Sequence, residues 1–529
     1  MIHNKDIMNS LPLLASVLGN MYGVKVELGG SSAYTNGKTI HLPAMPLDPD
    51  EEVLALARGF LDHEAAHIRH TDFDALHNAK MDAFTHSIWN SIEDWRVENA
   101  LSRVFPGCRS HFAWLIRHFF EEKPDRPNIL NYVLLTVRSW DVPELEANAQ
   151  LERDLCDQAW PGLTDKVDKV LARCRGHCPD TQAAIGYAQE IKSCVDEFVE
   201  ESERSLKQNG DLQPKTSNDV GNKGQSATDS VQTKRSKAPG NANSQSHANP
   251  TDTPIPADMA EQAAQQLQDA TPEDQGKRLT VATVCSDSTI RPMPPDQKAQ
   301  AVKSTTAMRS KLQGLLQAST HDRCALGRKG KLDTHQLYKV SLGQQAVFKQ
   351  NSRHVALDTA VHILLDSSGS MDGLPMQLAL QACYALVYAL QGIPHVKAAV
   401  TSFPGDDFAD SVQPILTSGE RLKSDTPFNV RANGMTPLGP ALLWTLQQLV
   451  HLREARKIIL IITDGEPDNI ACVQYALRLA KALQVEVFGV GVLDHNIATL
   501  LPGKSCVINS IEDLTHKLFQ VMQHALLHS

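Results

Sequence analysis

The chain has 529 residues, 42% of them hydrophobic, which is enough for two to four domains with cores of their own and excludes a single small module. Its 51 basic and 61 acidic residues leave a net charge of −10, mild for this length, so general binding to nucleic acid or anionic membrane is excluded as the default. No stretch approaches the roughly 18 to 20 apolar residues of a membrane span, and the opening MIHNKDIMNS lacks the basic start and apolar run of a signal peptide; the expectation is a cytoplasmic protein.

Residues 1–204 carry long helical patterns and most of the Trp and Phe residues, and are expected to form a mainly α-helical domain. Within them, 62–70 reads DHEAAHIRH and contains His63-Glu64-Ala-Ala-His67. On a helix the two histidines fall one turn apart on one face, where they can grip one Zn²⁺, and Glu64 is placed to deprotonate a zinc-bound water. The flanks predict that helix, with Val53, Leu56, Ala57, Phe60 and Leu61 at amphipathic spacing behind an acidic first turn. A catalytic zinc needs a third protein ligand, and a second helical stretch from Ile88 to Glu98 offers Asn90, Glu93 and Asp94, read as sharing one face with Val97. The alternative is a network of buried histidines and carboxylates that holds a helical core without metal. His70, His86 and His111 carry no pattern of their own, and CRGHC at 174–178 lacks the further ligands of a zinc site.

Residues 205–295 are expected to be a disordered linker. They are rich in Ser, Asn, Gln, Thr, Gly and Pro, and no aromatic residue occurs between Phe198 and Tyr338. Helix-like pieces at 259–270 and 298–317 interrupt this polar region, and 296–352 reads as a helical and extended lead-in.

From 353 to 529 apolar strand blocks alternate with amphipathic helices, as a doubly wound, mostly parallel sheet requires, so an α/β Rossmann-like domain is expected. Its first strand ends in Asp366-Ser-Ser368-Gly-Ser370, at the strand end where such folds place ligands. One carboxylate and two hydroxyls are hard oxygen donors that suit Mg²⁺ or Mn²⁺ better than zinc. Thr436 in NGMTPLG and Asp464 in IITDGEP fall at further loop positions; the bland reading is that both aspartates cap strand-to-helix turns. No nucleotide cradle accompanies them, because Pro502-Gly-Lys-Ser505 has Ala498 where a P-loop needs Gly, and GVG at 489–491 lacks its following Gly.

The five positions Asp366, Ser368, Ser370, Thr436 and Asp464 resemble the metal-ion-dependent adhesion site (MIDAS) of von Willebrand factor A (VWA) domains. That resemblance implies direct cation contacts from Ser368, Ser370 and Thr436, contacts mainly through water from Asp366 and Asp464, and a partner carboxylate completing the octahedron. The lead-in from Gly330 to Val340 and from Val347 to Gln350 resembles the cobaltochelatase CobT subunit, and is similar to related VWA proteins such as NorD. The likeness implies a MoxR/CobS-type AAA+ ATPase partner and a client or chelatase complex, with cobalamin biosynthesis as the pathway. The N-x-x-E-D-x-R-x-E string after H-E-x-x-H is similar to CobT-like and metallopeptidase-like VWA proteins and to the gluzincin plan. This implies a zincin-like head with Glu93 as third ligand, Asp94 as the alternative, and Glu98 or Arg96 behind them. In thermolysin-like enzymes the Glu is followed by Asp four residues on; here Glu93 is followed by Val97, and only Asp94 to Glu98 has acidic spacing. The leading expectation is a CobT-like adaptor without its own ATPase site; the alternative is a zinc-dependent metallopeptidase that uses the VWA domain to recruit substrate and Glu64 to activate water.

Overall fold

The computed structural model describes residues 10–210, 249–285, 290–303, 323–327, 331–332, 348–352, 358–406, 410–423 and 426–510, with a few isolated positions beyond. These form two compact units, one of residues 58–263 and one that joins the first 57 residues to 264–529.

The unit of 58–263 is helical. It holds most of α2 (Glu51–His70), then α3 (Phe73–Ala79), α4 (Ala83–Val104), α5 (Cys108–Phe120), α6 (Ile129–Ser139), α7 (Glu146–Ala159), α8 (Leu163–Gly176) and α9 (Thr181–Gly210). Short polar side chains start several of these helices. Asp72 accepts from the backbone N–H groups of Asp74 and Ala75, Asp82 from Thr85, and Asn128 from Leu130 and Asn131. The core is built by Ile88, Trp89 and Ile92 of α4 with Val133 and Val137 of α6, Val167 of α8 and Ile185 and Ile191 of α9. Gly59 lets α2 approach α5 closely, since a Cβ there would stand 2.4 Å from Leu115 Cγ.

The expected linker is not structureless throughout. Residues 211–248 lie outside the described residues, but 249–285 contain α10 (Met259–Asp269), β1 (Arg278–Leu279) and β2 (Thr283–Val284). Composition misleads in this stretch because Met259, Ala263 and Leu267, spaced one helical turn apart, are all buried and give α10 an apolar face. Of the helix-like piece 298–317, only the part up to 303 is described, and it is helical.

The other unit is built on a seven-stranded sheet. Its strands are β3 (Thr359–Asp366), β4 (Val396–Phe403), β5 (Ser411–Leu416), β6 (Arg456–Thr463), β7 (Val485–Val492) and β8 (Ser505–Ile508), with β2 at one edge. Across the sheet the order is β8-β7-β6-β3-β4-β5-β2. β3 pairs in parallel with β4 and β6, and β6 with β7, while β5 runs antiparallel to β4. Every residue of β3 and β6 is buried, as expected of central strands whose two faces are covered by helices. Those helices include α11 (Leu374–Leu390), α12 (Leu438–Val450), α13 (Ile470–Ala482) and the short α14 (Asn496–Leu500).

The amino-terminal segment, expected within the helical domain, belongs to this unit instead. Its helix α1 (Leu11–Tyr22) buries Leu13, Leu14 and Ala15 and packs on α12. Gln447 donates to the Pro12 carbonyl at 2.8 Å, and Ser16 and Asn20 hydrogen-bond the His451 ring at 3.1 and 3.3 Å. The two-residue strand Met45–Pro46 pairs with β1, and the Val281 N–H donates to the Leu28 carbonyl. A helix as apolar as α1 needs a surface to cover, and α12 supplies it.

Candidate metal centres

In the helical unit, the histidine helix α2 and the acidic helix α4 meet. His63, His67 and Asp94 hold their ligand atoms within 4.8 Å of one another, the one such group of His, Cys, Asp or Glu side chains among the described residues. His67 Nε2 stands 3.1 Å from Asp94 Oδ1, while its Nδ1 bonds Thr71 Oγ1 at 3.0 Å. The Nδ1 of His63 lies 2.9 Å from Glu98 Oε1, which leaves Nε2 to face the shared position. Two imidazoles and a carboxylate are the donor set zinc prefers, and a carboxylate behind a ligating histidine fixes its tautomer and orientation.

Arg138 of α6 closes the arrangement from behind. It is 1% exposed and donates from Nη2 to Asp94 Oδ2 at 2.6 Å and from Nη1 to Glu98 Oε2 at 2.9 Å. Burial works against a proton on His63, yet the Glu98 hydrogen bond and the carboxylates of Asp94, Glu98 and Glu64 hold its pKa up to about 9. Asp94 is also buried, but Arg138 and the two histidines bring it down to about 2. The carboxyl of Glu64 is raised above its ordinary value, first by burial, against the pull of His63 and His67. That direction suits a group that must accept a proton near neutrality.

The sequence ranks Glu93 ahead of Asp94 as third ligand, and the geometry reverses that order. Glu93 is fully buried and accepts from Arg96 on both of its oxygens at 2.8 and 2.6 Å and from the hydroxyls of Thr71 and Thr181. Adjacent helical residues point about 100° apart, so Glu93 and Asp94 cannot serve one point. The row that faces the histidines is Asp94 and Glu98, one turn apart, with Glu98 supporting His63 and Arg96 serving Glu93. Arg138, forty residues on, escapes a reading of the sequence because no local spacing announces it. Of the lone histidines, His111 bonds Asp62 at 2.7 Å and His86 packs against Trp89. Cys174 is buried and Cys178 half-buried, and neither joins a metal-sized group.

In the sheet unit, Asp366 ends β3 and Asp464 follows β6, so both stand at carboxyl ends of adjacent strands. Asp366 Oδ1 accepts from the Ser368 N–H at 2.8 Å and Oδ2 from the Thr463 hydroxyl. The Ser368 and Ser370 hydroxyls are 3.1 Å apart, and Ser370 donates to Asp464 Oδ1 at 2.8 Å. The loop that carries Thr436 is laced to the first through Asn433 N–H to the Ser367 carbonyl and Gly369 N–H to the Gly434 carbonyl, at 2.8 and 3.1 Å. Gly465 marks where the three segments converge, since a Cβ there would meet Ser370 Oγ at 3.3 Å and Thr436 Oγ1 at 4.0 Å. Burial raises the Asp366 carboxyl to about 6 against the Thr463 and Ser368 hydrogen bonds, and raises Asp464 as well. Hydroxyls and carboxylates from three loops form an all-oxygen donor set that fits a hard divalent cation. Thr463 is the member that the motif does not announce.

Residues 11–128 match the family model described as "Cobalamin biosynthesis protein CobT", and residues 360–513 match the "von Willebrand factor type A domain". The chain combines a CobT-type region with a VWA domain. Its two matched regions are those of a VWA protein related to cobalamin biosynthesis, and VWA domains commonly bind a divalent metal at a MIDAS. The CobT match begins at α1 and runs past α5, and so includes His63, His67, Asp94 and Glu98. No curated protein matches the chain. Among solved structures it is similar to proximal thread matrix protein 1 of the mussel byssus, at 15% identity over 32% of this chain and 46% of that one, with a TM-score of 0.25. It is also similar to the manganese-loaded TRAP protein of Plasmodium vivax, at 16% identity over 31% of this chain and 74% of that one, with a TM-score of 0.24. An aerotolerance-related membrane protein from Bacteroides fragilis is matched over its full length, covering 32% of this chain at 15% identity and a TM-score of 0.24. Among the described residues no helix is long and apolar enough to cross a membrane.

Proposed function

We propose that this chain is an adaptor subunit whose VWA domain binds Mg²⁺ or Mn²⁺ through Ser368, Ser370 and Thr436 directly and through Asp366 and Asp464 by way of water. A carboxylate from a partner protein completes the cation's shell. The adaptor couples a MoxR/CobS-type AAA+ ATPase to a client complex of the cobaltochelatase kind. The observation that carries this reading is the convergence of Ser370, Thr436 and Asp464 around Gly465 at the ends of two adjacent central strands. Asp366 holds the Ser368 turn and Thr463 in place for that cation. The chain's own contribution is positioning and force transmission, with ATP hydrolysis supplied by the partner.

A second reading is favoured by the cluster in the helical unit. His63, His67 and Asp94 would hold Zn²⁺, Glu98 and Arg138 would orient them, and Glu64 would accept a proton from water in peptide hydrolysis. The cation there would supply Lewis acidity. The two readings part in reconstitution of full-length variants with the ATPase and client. Asp366→Ala abolishes ATP-driven client turnover under the adaptor reading and leaves any peptide cleavage intact. Glu64→Ala abolishes cleavage and leaves adaptor coupling. Normal coupling by Asp366→Ala would overturn the first reading; a full complement of zinc with no Glu64-dependent cleavage would overturn the second.

A further inference from the structure

Beside the zinc-type cluster lies a cavity of about 410 Å³, with Asp94 and Arg138 in its wall together with Ser87, Asn90, Phe120 and Leu134. The wall facing α4 and α6 is formed by Ile255, Pro256, Ala257, Asp258 and Met259, from the stretch that composition assigns to linker. A second cavity of about 560 Å³, lined by Asp82, Phe84, Lys192, Asp196, Thr251 and Thr253, shares Ala83 and Ile255 with the first. The two are thus parts of one groove that runs between α4, α6 and α9, and residues 251–259 lie along it.

Between the 3₁₀ turn Pro250–Asp252 and the start of α10 at Met259, this segment is held by side chains of the helices. Asn128 Nδ2 donates to the Pro254 carbonyl at 2.8 Å, and Asn90 Nδ2 donates to Asp258 Oδ2 at 2.7 Å, one turn of α4 before Asp94. The other oxygen of Asp258 caps α10 through the Ala260 N–H at 2.7 Å. Asp258 is near enough to raise the Glu64 carboxyl and the Arg138 guanidinium. Pro254 and Pro256 favour an extended backbone between those two helical pieces and remove donors it would otherwise have to satisfy. Ile255, between the two cavities, is left 53% exposed, a loose fit for an apolar side chain that lines both.

We propose that this groove is a binding cleft for an extended peptide ending at Asp94 and Arg138, and that the chain keeps it filled in cis with its own segment 249–259. A partner or client peptide enters when that segment is released. The inference rests on the zinc reading only for the chemistry a bound peptide would meet at Asp94; binding itself needs no metal.

The test uses the full chain and a fluorescein-labelled synthetic peptide with the sequence of residues 249–259, followed by anisotropy. Ile255→Ser combined with Asp258→Ala in the chain weakens the cis segment and leaves Asn90 and Asn128 of the groove to receive the peptide. The variant is expected to bind the peptide at least tenfold tighter than wild type, and hydrogen exchange at 249–259 is expected to quicken at least tenfold. A peptide with Ser in place of Ile255 should bind the variant several-fold more weakly. Faster exchange without peptide binding would overturn the cleft, and unchanged exchange would overturn the pinning. Ile255→Ser alone, which keeps Asp258 on Asn90 and at the start of α10, serves if the double variant fails to fold, with a smaller gain expected. Repeating the titration in a His63→Ala background separates the proposals: loss of zinc with peptide binding retained leaves the cleft standing whatever becomes of the zinc reading.

Discussion

The two candidate centres are built in opposite ways. In the sheet unit the donors sit on loops at the carboxyl ends of β3 and β6, and the topology alone brings them together. In the helical unit they sit mid-helix on α2 and α4, and the rotation of each helix decides which side chain meets which. The first centre tolerates shifts within a helix far from it. The second depends on a buried charge network that includes Arg138, so the proposed metal binding there and the stability of the unit draw on the same residues. Experiments that separate these two dependencies test the contrast directly.

The largest effect is expected at Arg138. Its guanidinium is the cation that faces both Asp94 and Glu98 in the interior. Arg138→Met keeps much of the volume but leaves two buried carboxylates facing each other, and breaking a buried pair of this kind costs about 3–5 kcal/mol. Thermal or denaturant unfolding of the helical unit should register that loss, while Mg²⁺-dependent stabilisation of the sheet unit stays unchanged. An unaltered melting profile would mean that the network is not what holds α4 to α6.

The next effect distinguishes neighbours on one helix. Asp94→Asn should lower zinc affinity by about 10- to 100-fold or more, the range seen when groups at or just behind a metal site are altered. Glu93→Gln should leave zinc content intact and weaken the fold, because Glu93 accepts from Arg96, Thr71 and Thr181. Elemental analysis after dialysis against a weak chelator reads both. The opposite pattern would restore Glu93 as the ligand and remove Asp94 and Glu98 as the row of α4 that serves the metal.

That pair of residues also marks how far the sequence carries. The α/β alternation after residue 353 makes the parallel sheet legible, and the D-x-S-x-S motif, Thr436 and Asp464 are legible because fixed motifs at strand ends meet by topology. On α4, a choice between Glu93 and Asp94 is a choice of about 100° in helix phase, which hydrophobic periodicity resolves poorly when the helix buries both its polar and its apolar faces. Arg138 and Asp258 have no local signal at all, since their roles depend on contacts made across 40 residues in one case and 168 in the other. The segment 249–263 defeats composition for a related reason: polar residues forecast few apolar anchors, but buried Pro250, Met259 and Ala263, with hydrogen bonds from Asn90 and Asn128, are enough to place it. The first 57 residues fall to the other unit because an apolar helix does not encode in its own sequence which surface it covers.

The smallest effect concerns a histidine with no metal role. His362 lies in the middle of β3, bonded through Nε2 to Thr401 Oγ1 at 2.9 Å, and burial lowers its pKa to about 4. In the unfolded chain an ordinary histidine titrates near 6.5. Between those two values the unfolded state binds the extra proton and the folded state does not, so the contribution is complete above pH 6.5 and is lost as pH falls towards 4. At pH 5.5 the loss is about 1.4 kcal/mol, one pH unit below the unfolded value. Denaturant unfolding of the sheet unit at pH 7.5 and 5.5 should therefore differ by about that much more in wild type than in His362→Gln, whose amide can keep the Thr401 hydrogen bond but does not titrate. The helical unit, where raised and lowered groups are paired through Arg138, has no matching term from this residue, so an equal change in both units would locate the pH sensitivity elsewhere. The Asp366 carboxyl, which burial raises to about 6, works in the opposite sense because the folded state takes up its proton first, so a loss at pH 5.5 that survives in His362→Gln would come from neither group.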